Sequence, residues 1–573
     1  MTESDQMISL KKGSEKNIYL YLFIYGLMLS FSRFYGISSG GLVPTFGLLS
    51  NPSWYPGDMY VQHSIMFSTT YLYPFLGLFG RLGGNTYFIF FIYTLVHLVH
   101  IFFVYKIATH LFKELKGHHV GLVILLLFMY DHPIPGIDLY YQLVSVHNFR
   151  PTMVAMPIIA ASIYFFLRDR IVLSLLIICL LGIPLHFRTT WLFVVVLSIY
   201  LLFLDQRRSL KKILIWFGLI VLSGSILFWY KIKTGIIAAT FEQKLALCEV
   251  YIKRYLSEGV PFAMPMYGIA ILTALILLSF IGIQFLRNQE DKIKLRLLFG
   301  VAVFFFLIFG IYAEFLYTKF PSLELFSLGM PQVMNYPLLL AIVIIGGTIF
   351  RLRTLGPEKL TWFYSVLLFS LAYFPNFKLK SIFIYLFCIA VTYFLVYKNP
   401  KMHRWLKLTP FVAWFLMAVL PFLFFKNCMR VREAYVERST VFPLYVLGVD
   451  RDSYEAQIWA LDNTPNDSVF LSYKEGSEGL YFDQFFRAHS GKTLLGGEIA
   501  LVMNNYALVQ EHRKRQAFID SLQNLIQERQ HDAIADLISS SSWRIDYLVV
   551  PISYVLEFPV VYSKNSYTIY KIN

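Results

Sequence analysis

Charge is scarce in this chain. Only 15% of its 573 residues are charged, against about 25% in soluble domains, which excludes a single water-soluble globule. Carboxylates are scarcest: Asp58 is the sole acidic residue between Glu15 and Glu114. The four cysteines offer neither metal-ligand spacing nor a disulfide framework. The sequence lacks a Gly-rich phosphate loop, a zinc spacing and a nucleophile elbow. It lacks the internal repeat common in transporters. No small-residue cleavage site follows the first apolar run, which is therefore expected to be a retained anchor.

What is abundant is apolar surface, at 57% hydrophobic and 18% aromatic residues. Runs of about 15 to 25 apolar residues recur from Tyr19 to Phe425, each able to span a hydrocarbon core roughly 30 Å thick. Hydropathy predicts about 13 spans, at 18–35, 86–112, 118–131, 150–167, 171–186, 190–204, 213–230, 265–286, 297–317, 336–350, 360–374, 380–397 and 408–426. The fifth and sixth are joined by a short turn around HFRTT. The net charge of +15 sits in short clusters between runs, such as Arg207, Arg208, Lys211 and Lys212, or Arg287, Lys292, Lys294 and Arg296. That is the positive-inside pattern of a cytoplasmic membrane protein, with attraction to membrane lipids, and it excludes nucleic acid as a partner. Alternation from Lys11, Lys12 and Lys16 places the N-terminus in the cytoplasm and everything after Lys426 outside.

Composition changes in the tail. QIWALDNTPNDSVFLSY reads as helix, turn and strand; residues 504–529 read as a polar helix; RIDYLVVPI and SYTIYKI read as strands. The expected organisation is a polytopic α-helical membrane domain over 1–426 and an extracytoplasmic α/β domain over 427–573.

Polar residues at the outer ends of the spans are the functional candidates, because polar groups near a bilayer are costly. Asp58, in WYPGD, fits either a turn former or a reacting group. Asp131 and Asp138 fit caps, turns or a second acid. Arg150 and Arg188 fit snorkelling anchors or anion ligands, beside His147, His186, Lys319 and Gln332. Trp54 and Tyr55 fit an interfacial belt or a sugar-stacking surface. His97 and His100 share a helix face and fit interhelical hydrogen bonds. Together these groups suit a sugar on a polyprenyl phosphate. Cations hold the developing phosphate charge, and one carboxylate takes the proton of the acceptor hydroxyl. No cofactor is expected, and nothing in the sequence supports a divalent metal.

The segment WALDNTPNDSVFLSY resembles the start of the C-terminal domains of the GT-C superfamily of membrane glycosyltransferases. WYPGD followed by HNFRP and PLHFRTTW is similar to bacterial multi-pass proteins of that type. The resemblance implies about 13 helices, an outer soluble domain, a lipid-phosphate sugar donor, a glycan, lipid or protein acceptor, and a key acid in the first outer loop. Asp58 occupies that position. No WWDYG-like motif follows the strand, which continues as SYKEGSEGLYF, and the loop holds one acid rather than a pair. These departures point away from protein N-glycosylation and from metal dependence. A single carboxylate suits an inverting displacement. An envelope polysaccharide polymerase or ligase, a lipid transporter and a non-catalytic assembly protein are the other readings.

Overall fold

The computed structural model describes residues 51, 53–63, 86–113, 151–207, 209–233, 240–258, 266–328, 334–355, 451–476, 479–564 and 566–572, with isolated helical positions between 19 and 48. A four-residue helix, α1 (Met59–Gln62), lies in the first loop. The membrane part follows as α2 (Thr86–Leu111), α3 (Pro151–Leu167), α4 (Ile171–Ile177), α5 (Ile183–Ile199), α6 (Leu210–Lys233), α7 (Phe241–Glu258), α8 (Met266–Gln284), α9 (Gln289–Ile311), α10 (Leu323–Ser327) and α11 (Asn335–Leu355). Most of these are apolar all round, as suits helices surrounded by lipid and one another. Three stretches among the described residues are long and apolar enough to cross a membrane: Phe90–Leu111, Ile171–Leu204 and Gln289–Leu316. The described residues therefore do not support a count of about 13. The runs expected at 118–131, 360–374, 380–397 and 408–426 lie outside them, and Met153–Leu167, Leu275–Gln284 and Tyr336–Thr348 are shorter.

The stretch Ile171–Leu204 is not one straight rod. At His186 the backbone leaves helical space (φ −159°, ψ 86°). A Cβ on Gly182 would lie 3.1 Å from the Thr190 methyl, although eight residues of straight helix cover about 12 Å. The chain folds back at His186, so α4 and α5 are antiparallel arms. α6 touches both: Trp216 Nε1 donates to Ser198 Oγ at 2.8 Å, and Ser223 Oγ donates to the Cys179 carbonyl at 3.5 Å.

Ion pairs gather the basic loops at one end of this bundle. Buried Lys294 of α9 pairs with Asp169, in the α3–α4 turn, and with Glu290 at 3.3 Å. Tyr200 donates to Glu290 at 2.7 Å, and His110 of α2 meets Asp291 at 3.3 Å. Lys212 pairs with Asp205 at 3.0 Å, and Arg351 of α11 donates to the Phe285 carbonyl. Buried charges persist only when paired in this way.

The opposite end carries the amphipathic helix α7. Its buried stripe, Leu247, Cys248, Val250 and Tyr251, faces the protein while Glu242, Lys244, Glu249 and Lys253 are exposed. Tyr251 stacks on Phe326 of α10 at 6.0 Å, and Trp191, near the His186 bend, donates to the Leu328 carbonyl at 3.0 Å.

The C-terminal part is an α/β unit. It runs α12 (Arg451–Asn463), β1 (Val469–Gly476), β2 (Gly479–Phe482), α13 (Arg487–Ser490), β3 (Thr493–Leu494), α14 (Tyr506–Glu528), α15 (His531–Ser539), β4 (Tyr547–Pro551), β5 (Val560–Lys564) and β6 (Tyr567–Lys571). α12 stops at Asn463 because Pro465 disfavours helical backbone at Thr464. The sheet order is β2-β1-β4-β6-β5, with β3 also on β1; β1 runs parallel to β3 and β4, and the other pairs are antiparallel. Phe470, Leu471, Leu548, Val549 and Val550 are buried, as a strand pair covered by helices on both faces requires. Met503, just before α14, and Val509, in its first turn, join the hydrophobic core of the membrane part.

Candidate functional site: the first loop against the α/β unit

The stretch WYPGDMY folds by local rules. Asp58 N–H donates to the Tyr55 carbonyl at 3.1 Å, closing a turn with Pro56 and Gly57 at its centre. Gly57 has φ +81°, the value the third position of a type II turn needs, and proline suits the second. Asp58 then caps α1: its Oδ1 accepts from Tyr60 N at 3.0 Å and from Val61 N at 3.2 Å.

Its other oxygen reaches across the chain. Asp58 Oδ2 accepts from Arg487 Nε at 3.2 Å and from Leu494 N at 3.1 Å, and both charged side chains are 0% exposed. Arg487 also donates through Nη2 to the Gly496 carbonyl. Its Nη1 has no hydrogen-bond partner among the described residues, but the guanidinium lies 5.5 Å from the centroid of the Tyr60 ring. Around this pair the loop is fastened at Tyr55, Pro56 and Tyr60 as well. Tyr55 OH donates to the Arg487 carbonyl at 2.9 Å, and Tyr55 N to the Gly491 carbonyl at 3.0 Å. Thr493 Oγ1 donates to the Pro56 carbonyl at 2.7 Å. Tyr60 OH meets His512 Nδ1 at 3.0 Å.

Two glycines make room. A Cβ on Gly491 would fall 2.9 Å from the Trp54 indole, and one on Gly497 would fall 2.5 Å from the Tyr60 ring. Gly491 also has φ +65°, which glycine adopts without strain. Met59 and Tyr60 pack with Leu501 and Val502 in a small core of their own. Burial pushes the Tyr55 and Tyr60 phenols well above their ordinary values, so both are neutral hydrogen-bonding groups.

The chemistry of Asp58 follows from this geometry. Four donors fill its two oxygens, it is fully buried, and it neutralises a buried guanidinium. The arrangement holds the loop and offers no lone pair to an acceptor hydroxyl. Tyr55 is equally buried, so no sugar can stack on it as folded, while Trp54 is partly exposed.

The remaining candidates divide in two. His186 is buried at the bend, where its Nδ1 meets Thr189 Oγ1 at 2.8 Å and its carbonyl accepts from Thr190 Oγ1 at 2.9 Å. Arg188 is half-buried two residues on, and Lys319 is exposed beyond the end of α9. Asp131, Asp138, His147, Arg150 and Gln332 lie outside the described residues. His100 does make an interhelical contact, at 3.2 Å from Tyr336 OH. No group of three or more metal-ligating side chains occurs among the described residues.

Reading the sequence alone missed Arg487, Tyr60, Thr493 and His512. One signal was present: a lone carboxylate beside a packed aromatic cluster needs a cation, and Arg487 begins a segment, RAHSGKTLLGG, whose glycines allow close approach. No protein-family model matches the chain, and no curated protein matches it.

Proposed function

We propose that the chain is a GT-C-like membrane glycosyltransferase of about 13 spans that moves a sugar from a polyprenyl-phosphate donor to a glycan, lipid or protein acceptor. The reaction would take place at the outer face of the cytoplasmic membrane. The observation that carries this reading is the contact between residues 54–61 and the α/β unit, whose α14 packs on α7 at the end of the bundle opposite the basic loops. Residues in contact lie on one side of a membrane, so the number of crossings between residues 63 and 451 is even. Twelve of the expected spans fall in that interval, so the proposed count meets this requirement, as any even number would. With the basic loops in the cytoplasm, the α/β unit lies outside. A site there, beside an apolar bundle, suits a donor whose tail is lipid and whose phosphate sits at the interface.

With Asp58 engaged as an anchor, the base falls to Asp131 or Asp138 in the second outer loop. Arg150 and Arg188 would hold the donor phosphate, with His147, His186, Lys319 and Gln332 orienting it. The test is transfer from a polyprenyl-phosphate sugar by the purified protein, with Asp131→Asn, Asp138→Asn and Arg188→Lys beside it. Loss of the base lowers transfer by about a hundred-fold or more. Full activity in both Asn variants refutes the base assignment, and an unchanged lipid-linked glycan profile in cells lacking the gene refutes the transferase reading. The engagement of Asp58 also favours a second reading, a non-catalytic assembly protein whose outer unit binds a partner. That reading expects the unchanged profile.

A further inference from the structure

The clasp between the loop and the α/β unit contains a titratable group with no part in the function proposed above. His512, on the buried face of α14, sits edge-on to the Tyr60 ring at 5.8 Å and bonds to its hydroxyl. Its surroundings are cationic. Arg487 lies over the same Tyr60 ring, and Arg513 and Arg515 flank it on α14. The nearby carboxylates are engaged elsewhere: Asp58 by Arg487, and Glu511 by Arg515 at 2.8 Å and the Trp543 indole at 2.9 Å. Asp520 is exposed about 12 Å further along the helix. α7, which packs on α14, brings Glu242, Lys244, Glu249 and Lys253, all exposed to solvent. On one side the Tyr60 ring lies close against Gly497, where even a Cβ would collide with it.

A proton on His512 therefore adds a cation to a closed pocket whose nearby carboxylates are already paired, Asp58 with Arg487 and Glu511 with Arg515, so neither is left to balance it. We propose that the clasp is acid-sensitive, and that protonation of His512 releases residues 54–61 from the α/β unit. Burial, then Arg513 and Arg515, hold the imidazole below its ordinary value in the closed state, which agrees with the sign. The free imidazole binds its proton near pH 6.5, so opening takes up a proton and is favoured as pH falls below that.

Hydrogen exchange on the full-length protein in detergent tests this, with rates corrected for the intrinsic effect of pH. The reporters are the amides of Tyr60, Val61 and Leu494, which are closed by Asp58. Their protection should fall at least tenfold between pH 7.5 and pH 5.5. In His512→Gln, whose amide can still bond Tyr60, most of the pH response should be lost, and in His512→Gln with His489→Gln it should vanish. Should that variant fail to close at pH 7.5, exposed Arg513→Gln takes its place. It removes a cation that repels the proton, so the midpoint of opening should move to higher pH. Equal protection at both pH values overturns the proposal, as does a full response in His512→Gln, which would assign the sensor to another group of the unit such as His489. A midpoint unmoved by Arg513→Gln overturns it as well.

Discussion

Asp58 and Arg487 stand 429 positions apart and meet at 3.2 Å with both side chains out of solvent. The first loop of the chain and its last domain are thus parts of one packed unit. A buried ion pair is poor support for stability in itself, because desolvation offsets most of its attraction. Removing one partner is another matter, since the survivor stays buried and charged.

Asp58→Asn should therefore destabilise the α/β unit by about 3 to 5 kcal/mol. Asn can still cap α1, but it leaves Arg487 uncompensated. Arg487→Met should cost less, because Asp58 keeps three backbone donors. In the double variant Asp58→Asn with Arg487→Met, part of the loss should return. Thermal unfolding of the purified protein measures all three. If Asp58→Asn melts with the native protein, the pair contributes nothing and the turn alone explains the aspartate.

Gly57→Ala tests the turn separately. With φ at +81° and nothing within 4 Å of a built Cβ, the penalty is backbone strain without collision. It should cost about 1 kcal/mol or somewhat more, and Gly57→Asn less, since asparagine tolerates left-handed backbone. Equal stability of the Ala variant and the native protein would show that the loop reaches Asp58 without this turn.

The sequence made much of this legible, for identifiable reasons. Pro56-Gly57 announces its turn by residue type alone, and β1, β4, α14 and the buried run Leu548–Val550 follow from local pattern. The hairpin at His186 was readable because HFRTT interrupts an apolar run. β2, β3, β5 and α15 were not, being short or dependent on neighbours for their burial. The role of Asp58 was hidden for a deeper reason. A carboxylate looks the same in sequence whether it faces solvent or a guanidinium more than four hundred residues away. Scarcity of acids in the first loop suggested chemistry, yet the same scarcity suits an anchor that must find one cation without competitors.

His489 gives the α/β unit its own pH dependence. Its ring packs edge-on to Tyr454 at 5.1 Å, and burial holds its pKa down to about 4. Unfolded, it titrates near 6.5, so between these values the unfolded chain binds more protons and acid destabilises the fold. The contribution is complete above about pH 6.5 and is lost as pH falls toward 4, reaching roughly 3 kcal/mol. Melting temperature against pH should decline more gently in His489→Gln across this window. An identical decline in the two proteins assigns the acid lability to other groups.

The last prediction concerns residues 451–573 expressed alone. The fragment retains its sheet and the flanking helices α12, α14 and α15, but it loses Tyr55, Asp58, Met59 and Tyr60. Arg487 then faces an open groove with no carboxylate, and Leu501 and Val502 lose their apolar cover. A deficit of about 3 to 5 kcal/mol is a large share of the 5 to 15 kcal/mol that stabilises a typical domain. The fragment should therefore melt at low temperature or without cooperativity. Adding a peptide of residues 51–63 should raise its melting temperature in proportion to the logarithm of peptide concentration, as any ligand of the folded state does. The same peptide with Asp58→Asn should bind far more weakly, because it offers the groove its aromatic rings without the counter-charge. A fragment as stable alone as with saturating peptide would mean that the first loop merely rests on a finished domain.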